Sequence, residues 1–326
     1  MLVIRRNSWK TLFYILCIVL FFVFILKQRQ ELYQTLDALR YTNGTFLLLG
    51  LFGTGLLIIC QALLFQSALR SQGKQVPVLT CASLYLKRFF LSSFLPAGYS
   101  VAQYTLNNTL EPYGVSSLES SLASTVFILI GFVSYIIILI PTILYATLAN
   151  LTSPLMLTAA GVVIVLTILM VWEFFLFTRS RGLTYFLTAR LFPTVKELMQ
   201  EWQQRELLYK QLWIGLFWSI CVDIMGSALV FLAIMAVHEP ANILAALIGY
   251  IMTILILTVS PIFQGIVVLE FSLSLTLSQF GLPQGTAIAA TLIFRFLHMW
   301  VPMILGGVLL ARRQFKPWIN RLLKED

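Results

Sequence analysis

Ionisable and hydroxyl-bearing residues are scarce in this chain, so those inside its apolar runs are the first candidates for chemistry. One group lies in Tyr85-Leu86-Lys87-Arg88-Phe89-Phe90-Leu91-Ser92-Ser93-Phe94-Leu95-Pro96-Ala97-Gly98. Pro96 removes a backbone donor and disfavours helix at Leu95, and Gly98 permits a sharp turn. Non-helical backbone at membrane depth survives only where protein or a watery cavity covers it. Lys87 and Arg88, about two turns before that break, suit a lipid phosphate near an interface. Ser92, Ser93, Tyr99, Ser100 and Gln103 would line a polar path. The two cations equally fit an ordinary positive flank that snorkels to the surface.

A second group surrounds another predicted break, at Pro261, Gln264 and Gly265. Glu270 follows inside an apolar run, and Arg295 sits between Ile293-Phe294 and Phe296-Leu297. An intramembrane charge costs roughly 2.5–3.5 kcal/mol on insertion scales, so Arg295 calls for a counter-charge. Glu270 and Asp223 are the obvious ones. Such a pair either fixes helix register or meets a polar headgroup. Asp223 stands mid-run, with Gly226 and Ser227 allowing close helix approach. His298 shares the face of Arg295 by i,i+3 spacing, as a core histidine or as a proton relay. Two interrupted segments in the two halves of a chain are the pattern of a transporter site at a repeat interface.

The elements that must hold these residues follow from composition. The chain has 326 residues, 59% hydrophobic and only 11% charged, which excludes a water-soluble domain, for which about a quarter charged is usual. Apolar segments occupy 11–26, 46–68, 118–147, 154–177, 211–236, 242–259, 262–280 and 285–310, with 78–105 apolar but interrupted. Lipid offers no partner for backbone groups, so the expected fold class is all-α: a polytopic helical membrane bundle of about eight transmembrane helices with one or two re-entrant or broken segments. The whole of 1–326 is expected to form one transmembrane domain. The basic run at 179–210 is expected to carry an amphipathic cytoplasmic helix with Leu198, Trp202 and Leu208 on one face. The tail at 311–326 is expected to be basic and cytoplasmic.

Lys and Arg cluster at the amino end, at 179–210 and in the tail, which places both termini in the cytoplasm. Even parity then requires that 78–105 dip in and return to the cytoplasmic side. The loop at 27–45 falls outside. The net charge of +9 belongs to cytoplasmic loops and anionic lipid, not to nucleic acid. Cys17, Cys60, Cys81 and Cys221 sit in apolar runs without CxxC spacing and read as small core residues. No Walker motif, HExxH or nucleophile elbow occurs, so no catalytic residue, metal or cofactor is expected.

Phe89-Phe90 followed by Phe94-Leu95-Pro96 and Gly98 resembles the Phe-Phe…Leu-Pro-Gly segment of the membrane, flippase-like domain of bacterial lysylphosphatidylglycerol synthases. Gly265, Glu270, Ala287, Ala289, Ala290 and Arg295 are similar in order and spacing to that family's glycine turn, acidic residue and Ala-rich helix with an Arg. Phe263, Gln264 and Val267 stand where the family usually has Pro, Gly and Gly. The resemblance implies movement of aminoacylated phosphatidylglycerol or a related polar lipid between leaflets of the bacterial cell membrane, which lowers surface charge and blunts cationic antimicrobial peptides. Full-length members add a cytosolic aminoacyl-transferase domain. No such domain is expected in these residues, so any lysyltransferase activity is expected from a separate chain.

Three readings therefore compete. In the first, Lys87, Arg88, Ser92, Ser93, Pro96, Gly98, Gln103, Asp223, Pro261, Gln264, Gly265, Glu270, Arg295 and His298 border a lipid-binding or translocation path. In the second, the chain is a membrane accessory subunit holding a lipid-modifying enzyme at its substrate. In the third, Glu270 with His298 performs acid–base chemistry on a lipid. The partners implied are a phospholipid, the membrane, and either a lipid-modifying enzyme or a second copy of the chain.

Overall fold

The computed structural model describes residues 29–94, 106, 109–148, 154–182, 185–186, 190, 208–259 and 266–322, in places for the backbone alone. Ten α-helices account for most of them: α1 Arg29–Arg40, α2 Gly44–Arg70, α3 Val78–Phe94, α4 Ser117–Leu148, α5 Pro154–Thr178, α6 Tyr209–Ala236, α7 Ile243–Val259, α8 Ile266–Gln279, α9 Gln284–Arg295 and α10 Val301–Leu322. Among the described residues five helices are long and apolar enough to cross a membrane: α2, α4, α5, α6, and the run Gln284–Ala311 that joins α9 to α10. The fold is thus the expected all-α polytopic membrane bundle.

The frame is the antiparallel pair α2 and α6. Asn43 caps α2 by accepting from the Thr45 N–H at 3.0 Å, and its own N–H donates to the Ala236 carbonyl at the end of α6 at 2.9 Å. At the other end the Leu208 N–H donates to the Ser71 carbonyl at 3.0 Å. Between these ties the helices meet at small residues. A Cβ at Gly53 would touch Leu229, and one at Gly215 would meet Ser67. Without a hydrophobic force between helices in lipid, such close approach supplies the packing energy. Residues near Asn43 and Ala236 define one end of the bundle; residues near Arg70 and Tyr209 define the other.

The segment 27–45, expected as an outer loop, contains α1, whose Leu39 packs onto the buried cluster around Leu57, Leu229 and Phe294. Helix α7 has 17 residues and α8 has 14. At 1.5 Å per residue α8 is only about 21 Å long, short of the roughly 30 Å apolar layer. The two run back on each other, with Gly249 facing Leu273. The break expected at Pro261, Gln264 and Gly265 lies outside the described residues. The last helix does not stop at 310 but continues to Leu322. Ala311, Arg312, Arg313 and Gln314 are good helix formers, so nothing local ends it there.

Between α9 and α10 the chain makes one π turn, Phe296–Trp300, in which the Val301 N–H donates to the Phe296 carbonyl. Pro302 comes next and has no N–H to give. In the i→i+5 pattern that missing donor would have served Leu297. The Thr54 hydroxyl of α2 reaches the Leu297 carbonyl instead, at 3.1 Å, sharing its one hydrogen with the Gly50 carbonyl at 3.0 Å. The irregular turn is therefore clamped from the neighbouring helix.

Glycine substitutions separate packing from propensity. A Cβ at Gly226 would collide with the Tyr250 ring, whereas one at Gly131 would meet nothing within 4 Å. Gly226→Ala is expected to cost about 1–3 kcal/mol by overpacking. Gly131→Ala is expected to be neutral or to stabilise by up to about 1 kcal/mol through helix propensity. Thermal unfolding midpoints of the two variants in one detergent check both signs.

Candidate functional site

The chain around α3 leaves the Arg70 end of the bundle and comes back to it. Gln66 Nε2 donates to the Val76 carbonyl at 2.6 Å, which shapes the turn into α3. After α3 and the residues that follow it, a short 3-10 turn at Glu111–Tyr113 ends at Gly114, whose φ of 67° favours glycine. Lys74 Nζ donates to the Gly114 carbonyl at 2.5 Å and pairs with Glu119 Oε1 at 3.3 Å. The hydroxyls of Thr80 and Tyr113 lie 3.0 Å apart. Thus the start of α3 and the start of α4 share one layer.

Helix α4 begins with a capping box. The Ser116 N–H donates to Glu119 Oε2 at 2.8 Å, and the Glu119 N–H donates to Ser116 Oγ at 3.2 Å. Two otherwise orphaned helix donors are satisfied in this way. Because Glu119 also holds Lys74, the cap fixes α4 against the turn that launches α3.

One turn further in lies Arg88. Its Nη1 donates to Ser124 Oγ at 3.0 Å and its Nη2 to Ser120 Oγ at 3.2 Å. The two serines are i,i+4 on α4 and so present one face. Ser124 gives its own proton to the Ser120 carbonyl at 2.8 Å, leaving its lone pairs for the guanidinium. The Phe65 ring lies under the guanidinium carbon at 4.9 Å, a cation–π contact. Arg88 is 8% exposed and Lys87 7%. They lie inside the bundle and do not extend to its outer surface as a snorkelling flank would.

Arg88 borders a cavity of about 90 Å³ with Phe65, Tyr85, Phe89, Ser92 and Phe127. At roughly 30 Å³ per water in the liquid, the space holds a headgroup fragment such as a phosphate, not a whole lipid. Phe65 and Phe127 meet edge to face at 6.0 Å, and Tyr85 leans on Phe89 at 6.0 Å. Ser92 and Ser93 donate to the Phe89 carbonyl at 2.9 and 2.8 Å, so Ser92 walls the cavity while Ser93 is buried. Helix α3 can sit this deep because Gly306 and Gly307 of α10 leave room for Leu86 and Phe90.

The other predicted residues occupy different places. Asp223 Oδ2 accepts from Ser134 Oγ at 2.8 Å, and Ser134 Oγ lies 2.7 Å from Ser219 Oγ. Of the two counter-charges expected for Arg295, the side chain of Glu270 lies outside the described residues. Asp223 is not the partner, since among the described residues no cation stands within ion-pair distance of it. The reason is depth. The α2–α6 register sets Asp223 opposite the middle of α2, while Leu297, two residues after Arg295, meets Gly50 and Thr54. Those levels differ by roughly 10 Å along the helix axis. Arg295 is buried in the last turn of α9. His298 stacks on Phe294 at 5.1 Å and meets Tyr250 edge-on at 6.3 Å.

Pro96, Gly98, Gln103, Pro261, Gln264 and Gly265 lie outside the described residues, as do Leu198, Trp202 and the first apolar run. Glu270 falls in α8, with only its backbone described. Reading the sequence missed Ser120 and Ser124, the aromatic walls Phe65 and Phe127, and the pair Ser134 and Ser219. The run from Ser116 to Thr125 carried the signal: hydroxyls spaced i,i+4 at the mouth of an apolar helix.

Long apolar helices and a buried cation beside an aromatic cavity define a multi-pass membrane protein with an internal polar site. Residues 11–306 match the model of the lysylphosphatidylglycerol synthase TM region, and the chain belongs to that family. No curated protein and no solved structure matches it.

The Arg88 arrangement predicts a coupled response. Removing both hydroxyls in Ser120→Ala/Ser124→Ala takes two hydrogen bonds from a buried charge and is expected to cost about 1.5–3 kcal/mol per lost bond. Adding Arg88→Met to that variant is expected to recover part of the loss, because the group needing oxygen partners is gone. A double-mutant cycle of unfolding free energies reads the coupling. Additive losses would contradict it.

Proposed function

We propose that this protein binds a phospholipid with its headgroup phosphate at Arg88 and moves it between leaflets, in the manner of a flippase. The observation that carries this reading is a guanidinium buried beside a small aromatic cavity, on a helix whose start shares one end of the bundle with the start of α4. The cavity suits a phosphodiester: one fixed charge, nearby hydroxyls and a low-dielectric wall that strengthens the attraction. Its volume leaves the acyl chains outside.

A place for such a chain exists. Between α4, α5 and α6 runs an apolar groove of about 360 Å³, bordered by Val126, Ile130, Phe174, Leu212, Trp213 and Leu216. Trp213 and Tyr209 are exposed near the Arg70 end. Amphipathic rings at that level match a membrane interface. Arg70, Lys74, Arg179, Arg181 and Lys210 belong to the same end by their positions at helix termini and turns, which would place it in the cytoplasm. Family membership supports an aminoacylated phosphatidylglycerol or related lipid as cargo, with lowered surface charge and resistance to cationic peptides in a bacterial cell membrane as the consequence.

Purified chain in proteoliposomes with fluorescent phosphatidylglycerol tests the proposal by quenching of the outer leaflet. Faster loss of protected label than in empty vesicles is expected. Arg88→Gln is expected to slow it by about tenfold or more, the effect of losing roughly 1.4 kcal/mol of binding. Wild-type protein that leaves the leaflets as separate as empty vesicles do would sink the flippase reading. If that protein also retained a lipid-modifying enzyme on co-purification, the accessory role would replace it.

A further inference from the structure

The hydroxyl–carboxyl cluster at Asp223 has no part in the phosphate site. Ser134 lies ten residues beyond Ser124 on α4, about 15 Å deeper into the bundle. Ser134, Ser219 and Asp223 are 0%, 3% and 8% exposed. Three oxygens from two helices meet there at 2.7 and 2.8 Å, and Ser134 Oγ is also 3.1 Å from the Gly131 carbonyl. These are hydrogen-bond separations. A metal ion coordinated by the same atoms would hold its oxygens further apart, so the small cation that fits is a proton.

Proton counting shows how the cluster holds one. Ser134 has a single hydrogen and three oxygen neighbours. With Asp223 ionised, Ser219 donates to Ser134 and Ser134 donates to the carboxylate. With Asp223 protonated, its O–H donates to Ser134, and Ser134 turns its own hydrogen to the Gly131 carbonyl. Both states leave every hydroxyl bonded. They differ in charge: the ionised form leaves a buried carboxylate with one neutral donor, and a buried charge so poorly met costs several kcal/mol unless water reaches it.

Among the described residues the surroundings supply no compensating charge. Tyr135 of α4 and Tyr250 of α7 lie close enough to feel the Asp223 charge, and the Tyr135 hydroxyl is committed to the Ile251 carbonyl at 2.8 Å. From α2, Cys60 faces Cys221 of α6. From the π turn, His298 stands behind the Tyr250 ring. Among the described residues, no cation lies within ion-pair distance of Asp223.

We propose that Asp223, Ser134 and Ser219 form a proton-exchange site that latches α4 to α6: proton bound, the two helices stay closed; proton lost to water, they part so that the carboxylate is hydrated. The step is a simple transfer from hydronium to the carboxylate, leaving water and a neutral acid, and its reverse. It ties helix separation to proton supply and stands apart from the identity of any lipid cargo.

Infrared spectra of the whole protein in lipid bilayers, scanned with pH, detect the site. In the difference between wild type and Asp223→Asn, where the stretches of the other acidic residues cancel, a protonated-carboxyl band is expected at acid pH and is expected to be gone at alkaline pH. Ser134→Ala is expected to shift its frequency, since the partner of the acid is removed. Amide hydrogen exchange, corrected for its intrinsic pH dependence, reads the latch. Protection of α4 and α6 around Ser134 and Asp223 is expected to fall by about tenfold or more as the band disappears. Asp223→Asn, which keeps the neutral shape, is expected to stay protected at every pH. A band that never changes with pH, a spectrum that Asp223→Asn leaves intact, or equal protection on both sides of the transition would each overturn the proposal.

Discussion

A guanidinium enclosed by apolar helices has to be met by oxygen atoms, and in this protein the hydroxyls of Ser120 and Ser124 meet it. Much of the Arg70 end of the bundle can be understood from that requirement. The serines must share a face, so they stand four residues apart on α4. That helix must be held at a fixed height against α3, and the Ser116–Glu119 capping box with its Lys74 contact does so. Helix α3 must come close enough to deliver Arg88, and the glycines of α10 permit it. The Phe65 ring beneath the guanidinium then closes the low-dielectric wall that makes the charge useful.

The second constraint is backbone satisfaction in an apolar medium. Pro302 cannot donate, the helix responds with a π turn, and Thr54 reaches across from α2 to serve Leu297. The same helix α2 is tied at both ends to α6. One helix therefore supports the irregular turn, the wall of the Arg88 cavity through Phe65, and the depth at which Asp223 sits. Two polar centres result, one near the Arg70 end and one near mid-depth, separated along α4 by the run from Ser124 to Ser134. The proposed ligands are an anion at the first and a proton at the second.

Much of this was legible in the residues alone. The all-α membrane class followed from charge scarcity. Lys87, Arg88, Asp223 and Arg295 announced themselves because an ionisable group in hydrocarbon is costly wherever it sits. Partners did not announce themselves. Ser120 and Ser124 look like the polar mouth of any span, and Gly306-Gly307 looks like any small pair in a membrane helix. Of the two counter-charges offered for Arg295, Asp223 was reasonable by charge and lies at another depth, and depth along a helix axis depends on which helices are neighbours.

Composition and charge cost are properties of single residues or short windows, so the sequence by itself determined the membrane class and the list of residues that needed company. Which oxygen faces which cation is a property of register between helices far apart in the chain. The Asn43–Ala236 and Ser71–Leu208 ties set that register for α2 and α6, and the approach of Gly306 to Leu86 sets it for α3 and α10. Only the packed bundle decided it, because a helix slid by one turn past its neighbour keeps every local preference and changes every partner.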